Sequence, residues 1–123
     1  MNTLERTTPL SRRLGLPMST IFSVRKCSGR IIAHALDFDL VATAATRPEA
    51  LGKLRAAVKH HIEFGFRKNL TAEEILLRAP QEYWDKIKDA PLTIGEEIQI
   101  ENQRIQTFTR TAIDENQPSF ATA

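Results

Sequence analysis

Asp37 and Asp39 flank Phe38 between two alternating apolar runs, and no other pair in the chain is better placed to do chemistry. Carboxylates near a strand end can hold Mg²⁺ and direct a water at a phosphodiester. Two positions apart in an extended segment, both project to the same side. Cleavage on two metal ions needs further carboxylates converging from other elements. The only close acid is Glu49, and a helix cap occupies it. The pair therefore reads as a recognition loop that offers negative charge to a positive surface, where it speeds encounter and sets orientation. A small metal-dependent nuclease using Asp37 and Asp39 stands as the alternative.

The remaining candidates are weaker. His60 and His61 are adjacent in a helical pattern, so their side chains diverge by about 100° and do not easily share a metal. His34 lies in a strand pattern, and all three histidines read as structural. Tyr83 and Trp84 are the only Tyr and Trp. They suit a partner-anchoring role and, equally, a core role covering a sheet. Cys27 is the sole cysteine, so no intrachain disulfide forms and a reducing, cytoplasmic setting fits. Arg25 and Lys26 could activate its thiol, but no neighbouring His or acid completes a site, and it reads as a turn residue. The chain has no Gly-rich phosphate loop, no metal-spaced Cys/His set and no local Ser–His–Asp arrangement. The expectation is a binding protein rather than an enzyme, with no cofactor and no metal.

A chain of 123 residues with 41% hydrophobic and 26% charged side chains is expected to form one globular domain with a real core. The net charge is only +2, but it is unevenly spread. Residues 1–30 carry six basic side chains against one acid, and residues 31–123 carry 11 against 14. Arg12 and Arg13 in the basic arm are candidate nucleic-acid contacts. Ser11-Arg12-Arg13 has the look of a twin-arginine export signal, but Gly15, Pro17, Ser19 and Thr20 interrupt the apolar stretch such a signal requires. No run is long and apolar enough for a membrane span.

Residues 1–17 show no period and read as a flexible leader; Met18 stands where the ordered pattern begins and could be the start of translation. Phe22 and Val24 alternate with polar neighbours, as in a half-buried strand. Residues 26–29 make a turn in which Gly29 can take a positive φ. In the next strand Ile31, Ala33 and Ala35 line one face and Ile32, His34 and Leu36 the other. A third short strand covers residues 40–43. Thr46 and Glu49 then form a capping box with Pro48 in the first turn. Leu51, Leu54, Val58 and Ile62 make the apolar stripe of the main helix, and Gly65 fits its C′ position. Thr71 and Glu74 cap a short helix through Arg78. Pro80 opens another helical turn that Pro91 ends. Residues 96–101 and 104–113 read as a hairpin, although Ile94, Ile98, Ile105 and Phe108 also fit a loose helical stripe. Residues 114–123 read as a flexible tail.

The ordered combination in residues 20–65 resembles the HicB-like antitoxin family. It rests on Phe22-Ser23-Val24, Gly29, the run Ala33-His34-Ala35-Leu36-Asp37-Phe38-Asp39-Leu40-Val41-Ala42, then Thr46, Glu49-Ala50, Leu54, Ala57 and Val58. The resemblance implies an α+β, partial ribonuclease H-like fold: a small antiparallel sheet with one main helix on a face, here extended by short helices and a C-terminal strand hairpin. The expected single domain is 18–113. Family members bind and neutralise a small HicA toxin, an RNA-cleaving protein. The resemblance thus implies an antitoxin-like protein, or an orphan relative, that occludes a small basic HicA-like partner. Asp37, Phe38, Asp39, Tyr83 and Trp84 are the candidate partner-binding residues. Many members also carry a C-terminal helix-turn-helix or ribbon-helix-helix that binds operator DNA. No such motif follows Pro91, which leaves direct DNA binding open. Family members commonly self-associate, and exposed strand edges invite it, so a homodimer is expected. A structural homo-oligomer without a toxin partner is a further alternative.

Overall fold

The computed structural model describes residues 16–101 and 103–111. In chain order the elements are β1 (Ser19–Cys27), β2 (Arg30–Ala35), β3 (Leu40–Ala44), α1 (Arg47–Arg67), α2 (Ala72–Ile75), α3 (Gln81–Ile87), β4 (Leu92–Ile94), β5 (Ile98–Ile100) and β6 (Gln103–Thr111). This is an α+β fold, with a six-stranded sheet, one main helix and two short ones. Among the described residues no helix is long and apolar enough to cross a membrane.

The first three strands follow from their alternation. β1 and β2 pair antiparallel and close at Cys27 opposite Arg30. The two residues between them, Ser28 (φ 53) and Gly29 (φ 79), both take the left-handed conformation that a tight hairpin turn demands. β3 pairs antiparallel with β2. Phe22 and Val24 of β1 and Ala33 and Ala35 of β2 are buried on one face. Ala44 of β3 and the buried stripe of α1, Ala50, Leu54, Val58 and Ile62, complete that core. The sequence phase of the helix therefore holds, with Leu51 at the margin of the core and Lys53 exposed.

The ends of α1 show half of the expected Thr46–Glu49 capping box, the Thr46 side-chain bond without a return bond from the Glu49 carboxylate, and a C-terminal cap that differs. The Thr46 hydroxyl accepts the Glu49 N–H at 3.4 Å. At the other end Gly65 is not the C′ residue. The helix runs on to Arg67, and Asn69 (φ 58) takes the left-handed position instead. Its N–H reaches the Phe66 carbonyl while the Leu70 N–H reaches Gly65, the paired bonds of a Schellman end. Gly65 serves packing: a Cβ there would sit 2.7 Å from Ile75 Cγ1. Ile75, fully buried, ends α2, which is shorter than the sequence suggested and carries a complete Thr71–Glu74 capping box.

The other face of the sheet has its own small core. Leu36, Ala79 and Ile87 are buried together, with Ile21, Tyr83 and Trp84 packed against them. The 79–87 segment is thus a second layer over the centre of the sheet.

Two features of the sheet have no local signature in the sequence. β6 lies parallel to β1, Ile21 opposite Phe108, so the strand order is β3-β2-β1-β6-β4 and the sheet is mixed rather than wholly antiparallel. β4 and β5 both pair antiparallel with β6, but their registers differ by one residue, so residues 95–97 oppose only Gln106 and Thr107. That bulge is held by the Gly95 N–H on the Thr107 carbonyl and by the Thr107 hydroxyl on the Glu96 carbonyl. The expected hairpin is β5–β6, and β4 adds a short strand immediately after Pro91.

The main core also draws on a residue that precedes Met18. Leu16 is 5% exposed and belongs to the main core, so the boundary does not fall at Met18. The rest of the expected leader, the expected tail and residues 112–113 lie outside the described residues.

Candidate functional site

The acidic segment is not extended. Residues 36–39 form a turn between β2 and β3, with Asp39 at φ 53, and the two aspartates are sent to different places. Oδ2 of Asp37 accepts both the Thr20 hydroxyl at 2.6 Å and the Ile21 N–H at 3.1 Å. Thr20 is buried, so this carboxylate pins the start of β1 to the turn. Asp39 Oδ1 lies 2.7 Å from His34 Nε2. The side chain of His34 is 4% exposed and that of Asp39 44%. The expectation that both acids face one side is therefore corrected: a left-handed residue in a four-residue turn breaks the period-two projection of a strand.

Phe38 requires a second correction. It is 0% exposed within the main core, its ring edge-on to His61 with centroids 6.0 Å apart. A buried ring cannot anchor a partner. It fixes the turn from beneath, and the polar side chains on either side of it are oriented as a consequence.

Tyr83 and Trp84 both lie in the second layer, half-buried. Trp84 Nε1 donates to the Ala79 carbonyl at 3.1 Å, and the Arg78 guanidinium lies 4.4 Å from its ring centroid. Tyr83 meets His34 edge-on, with centroids 4.9 Å apart, and Arg25 and Lys86 both approach its ring. The structure thus joins Asp39, His34 and Tyr83 in one chain of contacts that runs from the surface into the sheet. Asp37 and Phe38 support it from below. Arg12 and Arg13 lie outside the described residues.

Sequence reasoning set His34 aside as structural and missed its bond to Asp39. The available signal was spacing: His34 faces Val41 across the β2–β3 ladder, which brings a polar side chain in the intervening turn within its reach. His34 Nδ1 is buried with no hydrogen-bond partner. His60 is exposed, and His61 Nε2 lies 2.8 Å from the Ile75 carbonyl, where it ties α1 to α2. Among the described residues no three His, Cys, Asp or Glu side chains gather closely enough to hold a metal ion.

Chemically, the arrangement presents one fixed, half-exposed carboxylate beside an aromatic and cationic surface. A carboxylate held by a buried imidazole loses little side-chain freedom when it meets a cation, which favours recognition. No family model, curated protein or solved structure matches the chain.

Proposed function

We propose that this chain is an antitoxin-like binding protein of HicB-like character, acting by occlusion of a small, basic, RNA-cleaving partner. The observation that supports it most is the division of labour in the 36–39 turn. Asp37 is used by the fold, and Asp39 is oriented by His34 with nearly half its surface open. A hydrolytic site would draw its carboxylates together; this turn sends them apart. The β1–β2–β3 unit backed by α1 agrees with what the resemblance implies for residues 20–65. The proposed contact to the partner's basic surface is Asp39; the exposed parts of Tyr83 and Trp84 beside it carry Arg25, Lys86 and Arg78 against their rings and would meet neutral or acidic groups of the partner. Self-association belongs to the same reading.

The test is capture from the native host, read by mass spectrometry, with the wild-type chain and Asp39→Asn as baits. A small basic protein retained by wild type and weakened in Asp39→Asn is expected. The purified protein is expected to leave RNA and DNA intact with Mg²⁺ or Mn²⁺. Metal-dependent cleavage that disappears when Asp37 and Asp39 are both changed to Asn would replace this reading with the nuclease.

A further inference from the structure

Between the first turns of α1 and the 95–97 bulge lies a cavity of about 280 Å³, lined by Arg47, Pro48, Leu51, Arg55, Gly95 and Glu96. Two local features build its walls. Arg47, Leu51 and Arg55 recur every four residues and so form one row along α1. Facing them, the bulge brings the chain hard against β6. A Cβ at Gly95 would stand 2.5 Å from Thr107 Oγ1, so the approach requires glycine. Bulges of this kind re-aim the side chains beside them, and here Glu96 is carried to the rim of the cavity.

The charges of these walls are not balanced. Arg47 donates to the Thr111 hydroxyl at 3.0 Å, a neutral acceptor. Glu49, two positions on, lies about 200° round the helix and is directed elsewhere. Arg55 Nη2 lies 3.5 Å from Glu96 Oε1, but the Glu96 side chain is 78% exposed against 25% for Arg55. Water screens so open a pair and leaves it weak. Glu97, the other acid of the bulge, turns to Arg104 at 3.9 Å. The Arg55 side chain also folds back toward the start of the helix, its Nη2 3.7 Å from where a Cβ on Gly52 would stand, and this draws its charge toward Arg47. Two guanidiniums thus line the cavity against one exposed carboxylate.

We propose that this cavity binds the phosphate group of a small organic phosphate, with Arg47 and Arg55 as its cationic clamp. The planar fork of a guanidinium matches phosphate oxygens and holds them with two parallel bonds. Pro48 and Leu51 supply an apolar wall for the carbon body of an ester. The volume is at the lower end for ligand cavities, which suits one phosphate on a short body rather than a nucleotide pair. The two arginines carry the site without help from the helix terminus, where Thr46 takes the Glu49 N–H and Pro48 has none to offer. Glu96 is then a competitor for Arg55 that an entering anion displaces into solvent. The cavity shares no residue with the 36–39 turn or with α3, so the proposal stands whether or not a toxin-like partner exists.

Isothermal titration of the full chain at low ionic strength, with phenyl phosphate, inorganic phosphate and benzoate as probes, tests the assignment. Phenyl phosphate is expected to saturate one site per chain and to bind more tightly than inorganic phosphate, which lacks the body that Pro48 and Leu51 would meet. Benzoate, the same ring on a carboxylate, is expected to bind more weakly than phenyl phosphate. Arg47→Gln and Arg55→Gln are each expected to weaken phenyl phosphate by about tenfold or more, the loss of a charge-assisted bond. Glu96→Gln removes the competing carboxylate and is expected to tighten binding several-fold. Were the arginines merely ties between α1 and the sheet, Glu96→Gln would have no such effect. Absence of saturable phosphate binding by the wild type, tighter binding of benzoate, or unchanged or weaker binding in Glu96→Gln overturns the assignment. Glu96 is exposed, so that variant decides the matter even where an arginine variant does not fold.

Discussion

Replacing Asp37 separates a structural carboxylate from a recognition one. Both of its bonds converge on Oδ2: the Thr20 hydroxyl and the Ile21 N–H. Asp37→Ala strands a buried hydroxyl and a backbone donor. Hydrogen bonds to a charged group contribute about 1.5–3 kcal/mol each, and an unsatisfied buried donor costs about 1–3 kcal/mol. Asp37 is partly exposed, which lets water recover part of this, so a net loss of roughly 2–4 kcal/mol is expected. For a domain of this size each kcal/mol moves the melting temperature by about 4–8 °C, giving a drop on the order of 10–30 °C. Asp37→Asn can offer its single carbonyl oxygen to both donors and loses only the charge, so about 1 kcal/mol is expected. Asp39→Asn keeps an acceptor for His34 at an exposed position and is expected to change stability by less than about 1 kcal/mol. Thermal melts of the three variants, run beside partner capture, give the comparison. An Asp37→Ala protein that melts like wild type yet fails to capture the partner would refute the reasoning, because Asp37 would then be facing outward.

Leu54→Ala, mid-stripe and fully buried, is expected to cost about 2–5 kcal/mol in chemical denaturation, while Lys53→Ala is expected to cost less than about 0.5 kcal/mol; equal effects would mean the helix phase is wrong. Gly65→Ala gains about 1 kcal/mol of helix propensity but drives a Cβ into Ile75, so a net loss of up to about 2 kcal/mol is expected. In Ile75→Val, which shortens the opposing side chain, that loss is expected to shrink; a double-mutant cycle showing no coupling would sink the packing account. Leu16→Ala is expected to lower stability by about 2–4 kcal/mol, and a chain beginning at Met18 to melt lower than the full chain.

What the sequence made legible were the elements with a period. Phe22 and Val24 announced β1, the two faces of β2 came out as read, and the Thr46 cap with Leu54, Val58 and Ile62 placed α1. Two of the misreadings share a cause: one residue type serves two physical ends. A glycine near the end of a helix is equally a C′ residue and a place for close approach, and only Ile75, ten positions on, decides between them. Asp37 and Asp39 look equivalent as letters; the left-handed turn that separates their roles depends on Phe38 being drawn into the core. The parallel pairing of β1 with β6 was hidden because partners so far apart leave no mark on each other's local pattern. β4 was missed because three exposed residues after a proline show no alternation.

That parallel pairing also sets the order of events during synthesis. β1 leaves the ribosome before the other strands of the sheet, and β2, β3 and α1 can close on one of its edges soon afterwards. Its other edge must wait for β6. At about 5–20 residues per second, the roughly 80 residues between them take on the order of 4–16 s to make. For that interval the central strand of the finished sheet is a bare edge on a half-built one, and the nascent chain is at its most adhesive. A message cut short before β6 would yield a polypeptide that never leaves this condition, one that quality control rather than folding has to resolve.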